Sequence, residues 1–247
     1  MIKYRLRKMK IKKIIKYVIG SILAVFLAAG VYYVVIVVKA RMDTPGIVKK
    51  ALEKDNMTLQ AGDLNKWQLD ALLAVEDPNF YTHNGVDLKT PGAGITTITQ
   101  GLVKMYYFDS FKPGIAKIKQ TLIALLAVNP LVSKDDQLKL FINNINLGNI
   151  EGKPVVGFDN AARVYYKKPF KNLTKNEYLS IIAMIIAPEN FNIIKKHEAN
   201  AKRTERIRKV VSGEYKPKRL MDIYYGDLDI EEQKGLAPAS YYPSLYR

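Results

Sequence analysis

The sequence predicts an all-α fold, one helical domain preceded by a single N-terminal transmembrane helix, and three observations predict it. Residues 17–38 carry no charge and are rich in Val, Ile, Leu and Ala, enough to cross a hydrocarbon layer of about 30 Å as one helix. Beyond them apolar residues recur at spacings of three and four, and no run with a period of two stands out. Residues that cap helices stand in front of the apolar stripes, with Pro or Gly behind them. In 247 residues one span leaves room for one medium domain, placed at about 42–211, with a tail at 212–247.

Residues 1–16 hold Lys3, Arg5, Arg7, Lys8, Lys10, Lys12, Lys13 and Lys16 and no acid, so half of the net charge of +16 sits there. A basic cluster against an apolar span is a topology signal: it stays in the cytoplasm and sends everything after Lys39 to the outer face. The excess charge therefore does not imply a nucleic-acid partner. The uncharged run is longer than the apolar region of a signal peptide, about 7 to 15 residues, which predicts an uncleaved anchor.

Asn65 and Gln68 read as a capping box for a helix with Leu69, Leu72 and Leu73 on one stripe. The next position on that stripe, seven after Leu69, is Glu76. Pro78 disfavours helix at Asp77, so Glu76 belongs to the last turn, where the helix opens into the loop 79–94. Burial there raises a carboxyl pKa and fits it for proton transfer near neutral pH; the plainer outcome is a Glu turned to solvent at a fraying end. Next, Thr97, Gln100 and Lys104 line one polar stripe of a helix over 98–107, while Ile98, Leu102 and Met105 face elsewhere. Met105, Tyr106, Tyr107, Phe108 and Phe111 make a dense patch suited either to core packing or to a lid that dips into a membrane.

Over 115–127, Ile118, Leu122, Leu125 and Leu126 form the predicted core stripe, with Lys117 and Gln120 together on another. Ser133 and Asp136 cap a helix whose Leu138, Phe141, Ile142 and Ile145 are core. Residues 148–157 read as a long loop and 158–166 as a short helix ended by Pro169. Thr174 and Glu177 repeat the capping device ahead of Leu179, Ile182, Ala183 and Ile186, and Pro188 stops that helix. The tail contains Tyr and Pro and has little periodicity, which leaves open both wrapping and loose order.

No Cys is present, which excludes disulfides, thiol nucleophiles and thiolate metal sites. The two His, His83 and His197, lack metal-ligand spacing, and the glycines at 92 and 94 lack the ending of a phosphate-binding loop. The residues themselves call for no cofactor.

Residues 76–87, E-D-P-N-F-Y-T-H-N-G-V-D, and 94–104, G-I-T-T-I-T-Q-G-L-V-K, resemble the first two motifs of the peptidoglycan glycosyltransferases, family 51, which read E-D-x-x-F-x-x-H-x-G and G-G-S-T-I-T-Q-Q-L-V-K. The resemblance continues more weakly to about Asn192. It implies a lysozyme-like helical domain in the bacterial cytoplasmic (inner) membrane, facing the periplasmic side. It also implies polymerisation of lipid II into glycan strands with release of undecaprenyl diphosphate. Glu76 matches the base that takes the proton from the incoming sugar hydroxyl. Lys104 and Lys117 match lysines placed for the diphosphate, with Thr97 and Gln100 as hydrogen-bonding neighbours. Asp77, Phe80, His83, Gln120 and Asn143 complete the implied substrate-binding set. The implied partners are lipid II, the growing strand, membrane lipids and other wall-building proteins, and the one cofactor the family suggests is a divalent cation.

The chain also departs from the pattern. The third motif, R-K-x-x-E, stands here as Ala116-Lys117-Ile118-Lys119-Gln120, without the Arg and the second carboxylate. The fourth, L-E-x-Y-L-N, stands as residues 138–143, L-K-L-F-I-N, with Lys139 for the Glu. The loop between the first two motifs is shorter than usual, and no S-x-x-K transpeptidase motif occurs. Three activities fit: a glycan polymerase, a homologue that binds the lipid-linked precursor or scaffolds wall synthesis without turnover, and a lysozyme-like glycoside hydrolase with Glu76 as acid. The hydrolase fits worst, since most such enzymes use two carboxyl groups.

Overall fold

The computed structural model describes residues 2–112 and 114–228; the predicted tail beyond them, 229–247, lies outside the described residues. The first helix, α1 (Ile2–Leu52), takes in the basic segment, the apolar run and the start of the domain without a break. Most of its apolar side chains from Ile14 to Val38, among them Leu23, Val25, Phe26 and Leu27, are exposed, and the helix is long and apolar enough to cross a membrane. Where it enters the domain its burial changes abruptly. Ala40 is 4% exposed and Thr44 fully buried, and the Thr44 hydroxyl bonds both the Ala40 carbonyl and the Tyr107 hydroxyl at 2.6 Å. Pro45 interrupts the backbone ladder without ending the helix, because tertiary contacts on both sides hold it.

Seven more helices follow with a short connecting one: α2 (Lys66–Glu76), α3 (Ile98–Tyr107), α4 (Ile115–Ile123), α5 (Asn129–Leu131), α6 (Lys134–Asn144), α7 (Phe158–Tyr166), α8 (Lys175–Met184) and α9 (His197–Val211). The capping residues act as their spacing predicts. Asn65 and Gln68 exchange side-chain bonds with each other's backbone at 3.0 Å, Thr97 and Gln100 do so at 3.1 Å, and Thr174 with Glu177 repeats the pattern. Ser133 accepts from the Asp136 backbone at 3.0 Å. Each such cap contributes about 1 kcal/mol by satisfying amides that the helix leaves open.

The main core lies between α2, α3, α6, α7, α8 and α9, with Leu72, Phe80, Ile98, Leu138, Phe158 and Tyr178 fully buried. A smaller cluster joins α1, α3 and α4 through Ala40, Val103, Ile123, Ala127 and Val128. Because Leu102 packs into the first and Val103 into the second, α3 is the wall between the two.

Two expectations are corrected, and the structure bears on a third point that the sequence leaves open. Most of the predicted core stripe over 115–127 points outward: Ile118, Leu125 and Leu126 are 49%, 37% and 41% exposed, and Leu122 is half-buried. The buried stripe is instead Gln120, Ile123, Ala124, Ala127 and Val128, which has the same helical spacing on another face. A run that is apolar nearly all round gives periodicity nothing to choose between, and a π-turn at Ala124–Val128 rotates the register further. Second, the loop 148–157 holds a two-stranded antiparallel hairpin, β1 (Asn146–Ile150) and β2 (Lys153–Val156), with Ile150 paired to Lys153. Its turn places Glu151 at φ 51° and Gly152 at φ 79°, as a two-residue hairpin loop demands, but Glu at the first position hides the signal. Third, the aromatic patch is packing rather than a lid: Met105 and Phe111 are 6% exposed, Tyr107 is tied to Thr44, and Phe108 meets Phe111 edge to face.

The described part of the tail wraps the domain. Gly92 and Gly94 donate their backbone N–H groups to the carbonyls of Arg219 and Leu220, both at 2.9 Å, and Tyr225 is 4% exposed beneath α2.

Candidate active site

Glu76 is the last residue of α2, set between the buried Val75 and Asp77. Burial pushes its carboxyl up to about 7; the Arg203 guanidinium draws it down and Asp77 pushes it up further. The negative end of the α2 dipole adds to the cost of ionising it. A carboxyl with this value holds comparable populations of acid and base near neutral pH, the condition for efficient proton removal.

Asp77 faces the other way. It is 1% exposed, and its Oδ1 lies 2.7 Å from His83 Nε2 while Oδ2 accepts the Ile98 backbone N–H at 3.0 Å, at the start of α3. The Gly85 N–H donates to His83 Nδ1 at 2.9 Å, so the ring proton sits on Nε2 and points at Asp77. The first motif therefore stitches the end of α2 to the start of α3 and leaves Glu76 as its chemical member. Phe80 is fully buried, edge-on to Tyr81 and His83.

The cations come from α3 and α4. Lys117 Nζ donates to Thr96 Oγ1 at 2.9 Å, two residues before Ile98 and hence beside the Asp77 link to the base. Lys104 stands on α3, six residues beyond Ile98 and about 9 Å along the axis. Burial, and after it the Lys117 charge, lower the Lys104 ammonium to about 7, and burial lowers Lys117 to about 8. Two ammonium groups that repel each other and have lost part of their water make a receptive place for a polyanion.

The neighbours are mostly scaffold. Thr97 caps α3 and its hydroxyl donates to the Gly85 carbonyl at 2.7 Å. Gln100 is fully buried and donates to Thr121 Oγ1 at 3.0 Å. Gln120 is fully buried; its amide donates to the Gln100 carbonyl at 2.6 Å, and its Oε1 has no hydrogen-bond partner. Asn143 is not brought to the cations. It is 2% exposed and clasps Leu59, accepting its N–H at 3.0 Å and donating to its carbonyl at 2.8 Å. The residue that motif matching missed is Arg203 on α9, 3% exposed, whose charge acts on Glu76.

The residues present do not fit a divalent cation. No group of three or more His, Asp or Glu suited to a metal occurs among the described residues, and the position that carries a carboxylate in the family motif is the neutral Gln120.

A mostly helical domain on a membrane-length helix, with one raised carboxyl and a pair of desolvated lysines, carries groups suited to moving a proton and holding an anion. The particular family follows from the sequence profile of the transglycosylases, which matches residues 46–212, and the chain belongs to that family. It is similar to penicillin-binding protein 1A of Pseudomonas aeruginosa, 33% identical over 54% of this chain, and to penicillin-binding protein 1B of Vibrio cholerae, 25% identical over 67% of it. Penicillin-binding protein 1F of Bacillus subtilis is 29% identical over 59%. These matches span only 17%, 23% and 21% of the relatives' own lengths.

Proposed function

We propose that the chain is a membrane-anchored glycosyltransferase that polymerises lipid II into glycan strands with release of undecaprenyl diphosphate. The observation that carries this reading is the Glu76 carboxyl at about 7, linked through Asp77 and Ile98 to the Lys117–Thr96 pair. The Glu76 carboxylate takes the proton of the acceptor hydroxyl as that oxygen attacks the anomeric carbon. The bond to the diphosphate breaks with inversion, and its new charge falls toward Lys104 and Lys117. Incubating the purified chain with lipid II tests this directly: glycan strands are the expected product.

One observation favours a second reading, a homologue that binds precursor without turnover. Gln120 supplies neither the charge nor the proton chemistry of a carboxylate, and its Oε1 is left unbonded inside the fold. Lipid II bound without polymer would select it.

Diphosphate capture has its own pH signature. Both lysines have folded values below the ordinary lysine range, so they lose charge as pH rises through about 7 and 8, and an anion that holds them charged takes up protons. Titration calorimetry with inorganic pyrophosphate in two buffers of different ionisation heat should show proton uptake near pH 7.5. Lys104→Met or Lys117→Met should weaken binding about tenfold to a hundredfold at pH 6.5. Wild-type affinity in both variants would remove the lysines from the site.

The basic N-terminus supports a topology with the domain on the outer face of the bacterial cytoplasmic membrane. The outward stripe of α4 then lies beside the anchor, where Arg41 of α1 donates to the Leu126 carbonyl, and it rests on the lipid. Since the chain lacks Cys, one can be introduced at Ile118 and labelled with a polarity-sensitive fluorophore. In vesicles, spin-labelled lipids should quench it strongly; the emission of a water-exposed dye would put the stripe in solvent.

A further inference from the structure

The family match ends at residue 212, yet the segment 215–227 is built into the site. Asp222 closes it on itself, accepting from Tyr215 Oη at 2.7 Å and from the N–H groups of Lys218 and Gly226 at 3.0 and 3.1 Å. Its Arg219 and Leu220 carbonyls hold Gly92 and Gly94 in the loop before α3. The approach at Gly92 is close: φ is +80°, and a Cβ there would stand 2.7 Å from the Pro217 ring. At its far end Tyr225 donates to the Val75 carbonyl at 3.2 Å, one residue from the base, and holds a left-handed φ of 58°.

Between this segment and α2 lies Arg203. Its Nε donates to the Ala183 carbonyl and a terminal nitrogen to the Ile223 carbonyl, both at 3.1 Å. The guanidinium sits 5.3, 5.4 and 5.8 Å from the ring centres of Phe191, Tyr224 and Tyr225. Two carbonyls and three rings fix its place, and its charge falls on Glu76. A left-handed non-glycine residue at the anchoring tyrosine is the kind of local strain that surrounding structure holds in place around functional sites.

We infer that the segment 215–227 and Arg203 form one positioning unit for the base: the segment ties the last turn of α2 through Tyr225 and holds the guanidinium through the Ile223 carbonyl, so that a fixed cation stands near the end of α2 where Glu76 lies. The inference rests on Glu76 being the base. The ionisable groups facing Glu76 are Arg203 from α9, Asp77 from its own loop and the Tyr225 phenol, and Arg206 faces Arg203 in turn. Of these, only the arginine favours the ionised carboxylate.

The test is a carbon-13 titration of the Glu76 carboxyl in the full chain, assigned with Glu76→Gln, for wild type, Arg203→Met, Arg203→Lys and Tyr225→Phe. The wild-type midpoint is expected at about 7. Arg203→Met should raise it by about one unit, which at pH 7 lowers the ionised fraction about fivefold; Arg203→Lys should restore most of the shift and Tyr225→Phe should give about half of it. A midpoint unmoved in Arg203→Met with a cooperative melt overturns the inference, because an arginine that merely holds the fold together changes the melt alone. If Arg203→Met does not fold, an unmoved midpoint in Tyr225→Phe overturns it. A midpoint that moves in a chain that makes no polymer leaves the coupling of Arg203 to Glu76 standing and removes the polymerase reading, and with it the role of base.

Discussion

Glu76→Gln should lower strand formation by about 10²- to 10⁴-fold, the span that general-base catalysis covers, while leaving pyrophosphate binding unchanged. The amide keeps the shape of the side chain and cannot accept the proton, and the attraction for the diphosphate comes from Lys104 and Lys117. Stability should move the opposite way. The folded value of Glu76, about 7, lies above the ordinary 4.5, so the folded state holds this proton more tightly than the unfolded chain. The resulting stabilisation is complete below about pH 4.5 and is lost as pH rises through 7, leaving a cost of about 3 kcal/mol at neutral pH. Glu76→Gln removes that cost, so the inactive variant should melt higher than wild type at pH 8 and no higher at pH 4.5. Loss of activity with an unchanged difference between the two pH values would mean that Glu76 is not desolvated. A wild-type strand-forming rate that is flat between pH 6 and pH 8 would argue against it as the base.

The place of Glu76 at the end of α2 was legible in the sequence because its register and Pro78 act locally: a stripe of period 3.6 carries position 76 to the edge of the core, where it is half-buried, and proline ends the helix there. The capping residues were legible for the same reason. Arg203 was not. On α9 the buried positions Asn200, Arg203, Thr204 and Ile207 form an inward stripe that is polar at three of four places, which in sequence reads as a solvent face. Its burial depends on the carbonyls of Ala183 and Ile223 and on rings brought from the loop after α8 and the C-terminal segment, none of them local. The outward stripe of α4 was unreadable for the converse reason, since lipid and core select the same side chains. Motif matching names positions and does not give their tasks. Phe80 and Asn143 lie in matched motifs, yet one fills the core and the other clasps the Leu59 backbone.

Asp77→Ala is where that distinction has its largest consequence for stability. The melting point should fall by about 10 °C or more, corresponding to a loss of about 3 to 5 kcal/mol. The Asp77 carboxylate is almost wholly buried and satisfies two donors at once, His83 Nε2 and the first N–H of α3. Alanine strands both away from water and removes the negative charge that the positive end of the α3 dipole faces. The loop between α2 and α3 then loses its centre, because His83 also accepts from Gly85, whose carbonyl holds Thr97. Strand formation should fall with it, but through misplacement, so the loss should deepen on warming, unlike that of Glu76→Gln. Asp77→Asn separates charge from shape: its one carbonyl can accept from either His83 or Ile98 but not both, and the melting point should lie between alanine and wild type. If Asp77→Ala melts within a degree or two of wild type and loses only activity, the carboxylate is acting on substrate and its place as the joint between α2 and α3 is wrong.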